Sequence, residues 1–511
     1  MKRDSRMHFS FFIIMMFSAV LLAFPSNAAA LDTTADLVLG QTNFASDTVN
    51  AGTGAGLVNN IGVNDPFAVA IDQSGAQNRV YISDMNNNRV LGWANEASLI
   101  NGQPANLVFG QLGDFTTRLC NNGERSADTL CTPQGLAVDS AGNLYVADRG
   151  NSRVLVYRTP FVATAVAGSG DTTADLVFGQ RSFNQGGCSN PTLPTASASS
   201  LCDPIGVAVD SADNVYVADM ANNRVLEYTT PLTISTPVVF AADLVFGQPD
   251  FNSRMARFGA GGLNQPYAVA VDSAGNVYVA DFQNNRVLEY NTPLTTDTVA
   301  DLVFGQGNFG SGLPNAGGIS AASLSNPTGV AVDSADNLYV ADRSNRRVLE
   351  YDTPLTTDAI ADLVFGQSSF SSNFCNPGGV ATASSLCIVT GVALDGAQDL
   401  WAADFSNHRV LEYTVSVQLP TTTTTTTTIT TTTTLGPNVS SQQTGGGGCG
   451  MISTKDGEPP GPEKGADMPI LLAVMLIMLI RKRIQNLKLH IRHLLMGSFS
   501  LFGRLQTSST E

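Results

Sequence analysis

The stretch PYAVAVDSAGNVYVADFQNNRVLEY, Pro266 to Tyr290, decides the fold. Its pieces AVAVD, NVYVAD and RVLEY alternate apolar with polar or small residues at period two, the pattern of strands with one face turned to a core. DSAGN and FQNN between them are built from residues that favour turns. Upstream, the short apolar run ADLVFGQ, Ala242 to Gln248, reads as a fourth strand.

This unit recurs six times. ADLVFGQ-like segments begin at Ala35, Ala105, Ala174, Ala242, Ala300 and Ala361. The Asp closing each VAD-like segment falls at Asp84, Asp148, Asp219, Asp281, Asp342 and Asp404, at spacings of 64, 71, 62, 61 and 62 residues. Short strands at a fixed period with Gly, Asn and Asp turns specify a radial β-propeller of four-stranded blades rather than a sandwich. The first ADLV segment, Ala35 to Gln41, precedes any three-strand unit, and the last unit ends at Tyr413 with no such segment behind it. Setting Asp36 to Gly40 beside Arg409 to Tyr413 completes a sixth blade and pairs an edge that would otherwise stay open. The expected fold class is all-β: a six-bladed propeller over residues 31–415, closed by an N-terminal outer strand.

The wording of the repeat, DSAGNVYVAD-x-x-NNRVLEY, resembles the NHL repeat family, whose members form six-bladed propellers. The resemblance covers residues 35–413 and departs from the family in the long loops after each ADLVFGQ, which bring the unit to about 60 residues. It implies the fold and little about function, since roles in this family range from RNA and protein binding to an amidating lyase. Function has to be argued from the site.

Residues 31–413 hold 16 Arg and no Lys against 37 Asp plus Glu. Such a surface repels phosphate backbones, whose binding needs clustered Lys and Arg, so nucleic acid is not an expected partner. Residues 1–30 read as a signal peptide: Lys2, Arg3 and Arg6, an apolar run from Phe9 to Phe24, and the small-residue stretch Ser26 to Ala30. An uncleaved membrane anchor is the competing reading. Six of the seven Cys fall in pairs inside single loops, Cys120 with Cys131, Cys188 with Cys202 and Cys375 with Cys387. As disulfides they suit an exported protein, whereas metal ligation lacks a Cys-x-x-Cys knuckle or a His pair nearby.

Beyond the propeller, residues 416–465 form a Thr-, Gly- and Pro-rich linker that cannot bury a core. Residues 466–483 comprise a run, Ala466 to Ile480, that is apolar except for Asp467, and then Arg481, Lys482 and Arg483; the segment is expected to cross a membrane with its basic end inside, with a buried or interfacial helix as the alternative. The basic tail 484–511 places Ile484, Leu487, Ile491 and Leu495 at helical spacing, suited to an anionic leaflet. The order Gly-Cys element, apolar helix and basic cluster is similar to the tripartite sorting signals of bacterial surface proteins. That likeness implies a sorting protease as partner and Cys449, in GGGGCG, as the processing position; a free linker thiol is the other reading. The expected location is the cell envelope or surface.

Catalytic machinery is sparse. His408 is the only His inside the propeller, too few for the several His ligands of a zinc lyase, and it occupies a position where other units carry Asn, Ser or Arg. No G-x-S-x-G elbow or P-loop occurs, and neither a cofactor nor a metal is implied. The pattern Asp-x-x-Asn-x-Arg, as in Asp281, Asn284 and Arg286, occurs once per unit, so it is assigned to turns and strand ties rather than to a single site.

Function is expected where the units differ. The residue after Pro in each incoming loop runs Phe67, Gln134, Ile205, Tyr267, Thr328, Thr390, with Thr390 aligned to the same place; the residue after VAD runs Met85, Arg149, Met220, Phe282, Arg343, Phe405. These twelve are expected to ring the channel mouth. Arg149 and Arg343 belong to opposed units and could hold an acidic peptide or sugar, unless each pairs with a local Asp. The expected function is a non-catalytic binding or scaffold module for protein or carbohydrate. The alternatives are a propeller hydrolase or lyase using channel carboxylates or a bound calcium, and a purely structural envelope protein.

Overall fold

The structure, a computed structural model, describes residues 32–414 apart from 52–56, 162–170, 189–195, 234–238 and 377. The expected signal peptide, linker, membrane segment and basic tail, with Cys449, lie outside the described residues. Among the described residues no helix is long and apolar enough to cross a membrane.

Six four-stranded antiparallel sheets form the propeller. In the fourth blade the strands are Pro266–Val271, Val277–Asp281, Arg286–Tyr290 and Leu302–Phe304. Inner strands pack in chain order around the axis, and the first meets the sixth. The ring closes as the edge argument requires: Leu37–Leu39 pairs with Arg409–Tyr413 in the register Leu37↔Glu412, Val38↔Leu411, Leu39↔Val410.

Two local features set how tightly the ring packs. Every inner strand carries a register shift just after its first residue, as between Pro204 and Val207, which re-aims the residue after Pro toward the axis. Next comes a small residue because neighbouring inner strands nearly touch. A Cβ on Gly206 would sit 2.6 Å from the Tyr267 carbonyl oxygen, and one on Gly391 would sit 2.6 Å from that of Phe67. Adjacent blades are locked further out by edge-on aromatic pairs, such as Phe246 with Tyr290 at 5.2 Å and Phe304 with Tyr351 at 5.3 Å. Each such pair adds about 1 kcal/mol beyond the area it buries. Hence the Phe of LVFG and the Tyr of RVLEY.

Candidate ligand-binding face

The propeller has two unlike faces. The loop face carries the turns between second and third strands and the long loops from each outer strand to the next blade. The turn face carries the DSAGN-type hairpins and the connections from third to fourth strands.

The repeated Asp-x-x-Asn-x-Arg residues form the floor of the loop face and are closed to ligands. In the fourth blade Arg286 Nε donates to Asp281 Oδ2 at 2.8 Å and Nη1 donates to the Phe309 carbonyl at 2.6 Å. Nη2 donates to the carbonyls of Gly259 and Gly262 at 3.0 and 2.9 Å. Asn284 Nδ2 also donates to Asp281 Oδ2, at 2.8 Å, and the Asn264 backbone N–H donates to Oδ1 at 2.7 Å. Both side chains of the ion pair are 0% exposed. Burial pushes the Asp281 carboxyl up to about 6, against the pull of Arg286. The same buried pair recurs in the other five blades.

Above this floor the long loops are pinned by a residue that the sequence reading left without a role, the Gln ending ADLVFGQ. Gln248 Nε2 donates to the carbonyls of Asn223 and Met255 at 2.7 and 2.8 Å, and Gln306 to those of Asn285 and Leu313 at 2.8 and 2.9 Å. The repetition of this Gln was the available signal. The second Asn of NNRV, in left-handed backbone, does the rest: Asn223 Oδ1 accepts from Gln265 N of the next blade at 2.8 Å. The three expected disulfides, Cys120–Cys131, Cys188–Cys202 and Cys375–Cys387, all form on this face.

At the axis the mouth is filled rather than open. Phe67 and Tyr267 come from opposed blades, yet their ring centroids lie 6.5 Å apart, and Tyr267 stacks on Phe282 at 4.0 Å. Gln134 Nε2 reaches Met85 Sδ at 3.3 Å, and Met85, Ile205, Met220, Tyr267 and Phe405 pack into one apolar cluster with Phe67. Thr328 and Thr390 are buried and donate to the carbonyls of Val389 and Pro66 at 3.3 and 3.2 Å. The two rows therefore do converge, but as a plug. Arg149 and Arg343 are half-buried on opposed blades, and neither forms an ion pair among the described residues, so the local pairing with Asp weighed from the sequence is not observed.

Below the plug the axis holds a cavity of about 60 Å³ lined by Ala68, Gly135, Gly206, Ala268, Gly329 and neighbouring Val and Leu, with no charged residue. Carboxylates converge elsewhere. Ligand oxygens of Glu96, Asp395 and Glu412 lie within 4.8 Å of one another on the turn face, at the seam of first and last blades. Cys188 and Cys202 beside Asp203 are bonded to each other, which removes them as metal ligands. His408 serves as a turn residue: its φ is 51°, and its Nδ1 accepts from the Asp65 backbone N–H at 3.1 Å.

Charge divides sharply between the faces. By strand order 23 of the 37 carboxylates lie toward the turn face, eight of them buried, with only two of the 16 Arg, Arg79 and Arg158, so most of the negative excess gathers there. The loop face holds eight Arg against seven carboxylates.

Four stretches, residues 130–157, 201–228, 263–290 and 324–351, match the family model of the NHL repeat. Each runs from the end of a long loop through the third strand of its blade. The chain thus carries four NHL repeats within a six-bladed β-propeller. The unmatched first and sixth blades are the divergent ones, with the longer QSGAQN turn and with Asp399 and Trp401 in place of Asn and Tyr. No curated protein matches the chain. Among solved structures, virginiamycin B lyase from Staphylococcus aureus is similar at 11% identity and TM-score 0.38, over 69% of this chain and 95% of that one. A gluconolactonase from Xanthomonas campestris is similar at 15% identity and TM-score 0.37, over 69% and 86%. Aldose sugar dehydrogenase from Streptomyces coelicolor is similar at 14% identity and TM-score 0.40, over 70% and 96%. At these values no activity carries over.

Proposed function

We propose that this chain is an exported, non-catalytic binding or scaffold module, tethered to or sorted through the cell envelope by its C-terminal region, that takes an anionic protein or carbohydrate on its loop face. The observation that carries the reading is the pair Arg149 and Arg343: two half-buried guanidinium groups on opposed blades, without an ion pair among the described residues. A guanidinium in such a place gains most from a carboxylate or sulfate that reaches it bidentately. Disulfides and Gln side chains hold the surrounding loops, so little order has to be bought on binding. The disulfides also suit an oxidising compartment.

A hydrolase or lyase using channel carboxylates is the second reading; among the described residues the lining of the axial cavity holds no carboxylate. The test uses polyglutamate and polygalacturonate as probes, titrated calorimetrically into the purified protein. Binding of one of them is expected, with at least about a tenfold loss in the Arg149→Ala/Arg343→Ala double variant. Equal affinity of variant and parent removes the assignment.

A further inference from the structure

We infer that copies of this chain stack head to tail, with the loop face of one propeller seated on the turn face of the next. This rests on the loop face being the anion-seeking surface proposed above and names its partner as a second copy.

Three observations meet here. The first is a set of exposed apolar tips on the loop face. The carbonyls of Leu119, Met255, Leu313 and Phe374 accept the same Gln bond in their blades, which holds these residues at one level, and their side chains are 63, 77, 73 and 70% exposed. Phe258, 59% exposed, lies against Gly312, joining Met255 and Leu313 into one patch over the junctions of blades three to five. Apolar tips held this way mark a contact surface, and Phe, Met and Arg are the residues that interfaces concentrate.

The second is a matching set on the turn face of the same half. Leu294 and Leu355 occupy equivalent positions in blades four and five, as do Val299 and Ile360, and all four are 40 to 50% exposed.

The third is charge. From Gln248 to Cys387 the loop face presents Arg254, Arg257, Arg343 and Arg346 against Asp250 alone. In blades four and five the turn face presents six carboxylates outside the core, Asp297, Asp301, Asp336, Asp352, Asp358 and Asp362, and no Arg. Both faces are set across the propeller axis, so placing one disc over the next joins apolar tip to apolar tip and Arg to Asp. Whole copies repel through their net charge, but ions screen that repulsion beyond about 8 Å at physiological strength, while groups in contact are screened far less. A contact between two different faces does not close on itself, so the product is a column.

The experiment is sedimentation velocity on the purified full-length chain from about 1 to about 100 µM, with charge reversals on each face. The weight-average mass of the parent is expected to rise at least about twofold across that range. Arg254→Glu/Arg257→Glu and Asp297→Lys/Asp358→Lys, all at exposed positions, should each remain monomeric alone. Mixed, they should regain the parent's mass, because both contacts of the alternating column are then complementary; regain also proves that both variants fold. A parent that stays monomeric, or self-association that neither reversal changes, overturns the inference. Polyglutamate binding by a monomeric parent would sink the stacking and leave the loop-face reading standing; loss of both would sink both.

Discussion

Glu289 shows how much a single position in a repeated motif can conceal. RVLEY reads as a strand with its Glu turned to water, and in four blades that residue is Glu227, Glu289, Glu350 or Glu412. Yet Glu289 is 2% exposed, and its Oε1 has no hydrogen-bond partner among the described residues. Burial first, then Asp301 and Asp272, push its carboxyl up to about 7. Because the folded value lies above the unfolded one, the fold favours the protonated form. The cost of ionising grows as pH rises from the unfolded value of about 4.3 and is complete above about 7. Glu289→Gln is therefore expected to stabilise the propeller by about 1 kcal/mol at pH 8 and to do nothing at pH 4. Denaturant midpoints measured across that range check this, and a difference that stays flat with pH would count against it.

At the scale of elements, the strands obey the period-two pattern, while the long loops obey a different logic. Their composition predicts only irregular chain, and they are nonetheless held at each end by a Gln side chain, an Arg fork and, in three cases, a disulfide. Replacing Cys375 and Cys387 together with Ser opens a crosslink of sequence separation 12. The expected loss is about 3 kcal/mol, with new proteolytic cleavage confined to the loop that carries Phe374. Cleavage spread over the whole blade would show that the loop, not the strands, nucleates that blade. The inner-strand bulge belongs to this scale too. It is invisible in PIGVAV, since the alternation survives on either side of it, yet it turns Ile205 inward and makes the mouth a plug.

For the whole molecule, closure is the decisive event, because the first and last strands of the propeller, 370 residues apart in the chain, share one sheet. Val38 is 0% exposed within that closing strand. Val38→Asp buries an unpaired carboxylate there and is expected to cost about 3 kcal/mol or more. Hydrogen exchange should then rise first in Arg409–Tyr413, whose edge the strand covers, before it rises in blades two to five. Uniform exchange across all six blades would contradict that order. The division of charge between faces also lives at this scale, because residues scattered through six units add up to one acidic surface only when the ring is formed.

What the residues alone determined is the repeat, and through it the blade number, the closing strand, the disulfide pairs and the structural role of Asp-x-x-Asn-x-Arg. All of these follow from period and pairing, which are local or repeated properties. Trp401 and Asp399 mark where the sixth unit departs from the rule, and Arg149 and Arg343 where the second and fifth do, and those departures were legible as well. Only the tertiary structure decided that Phe67 meets Tyr267 across the axis, that the axial cavity is small and apolar, and that Met255, Leu313 and Phe374 stand exposed on loops held by the same Gln bond. The physical reason is distance along the chain: those contacts join residues from different blades, and a bulge of one residue in each inner strand sets which side chains point to the axis.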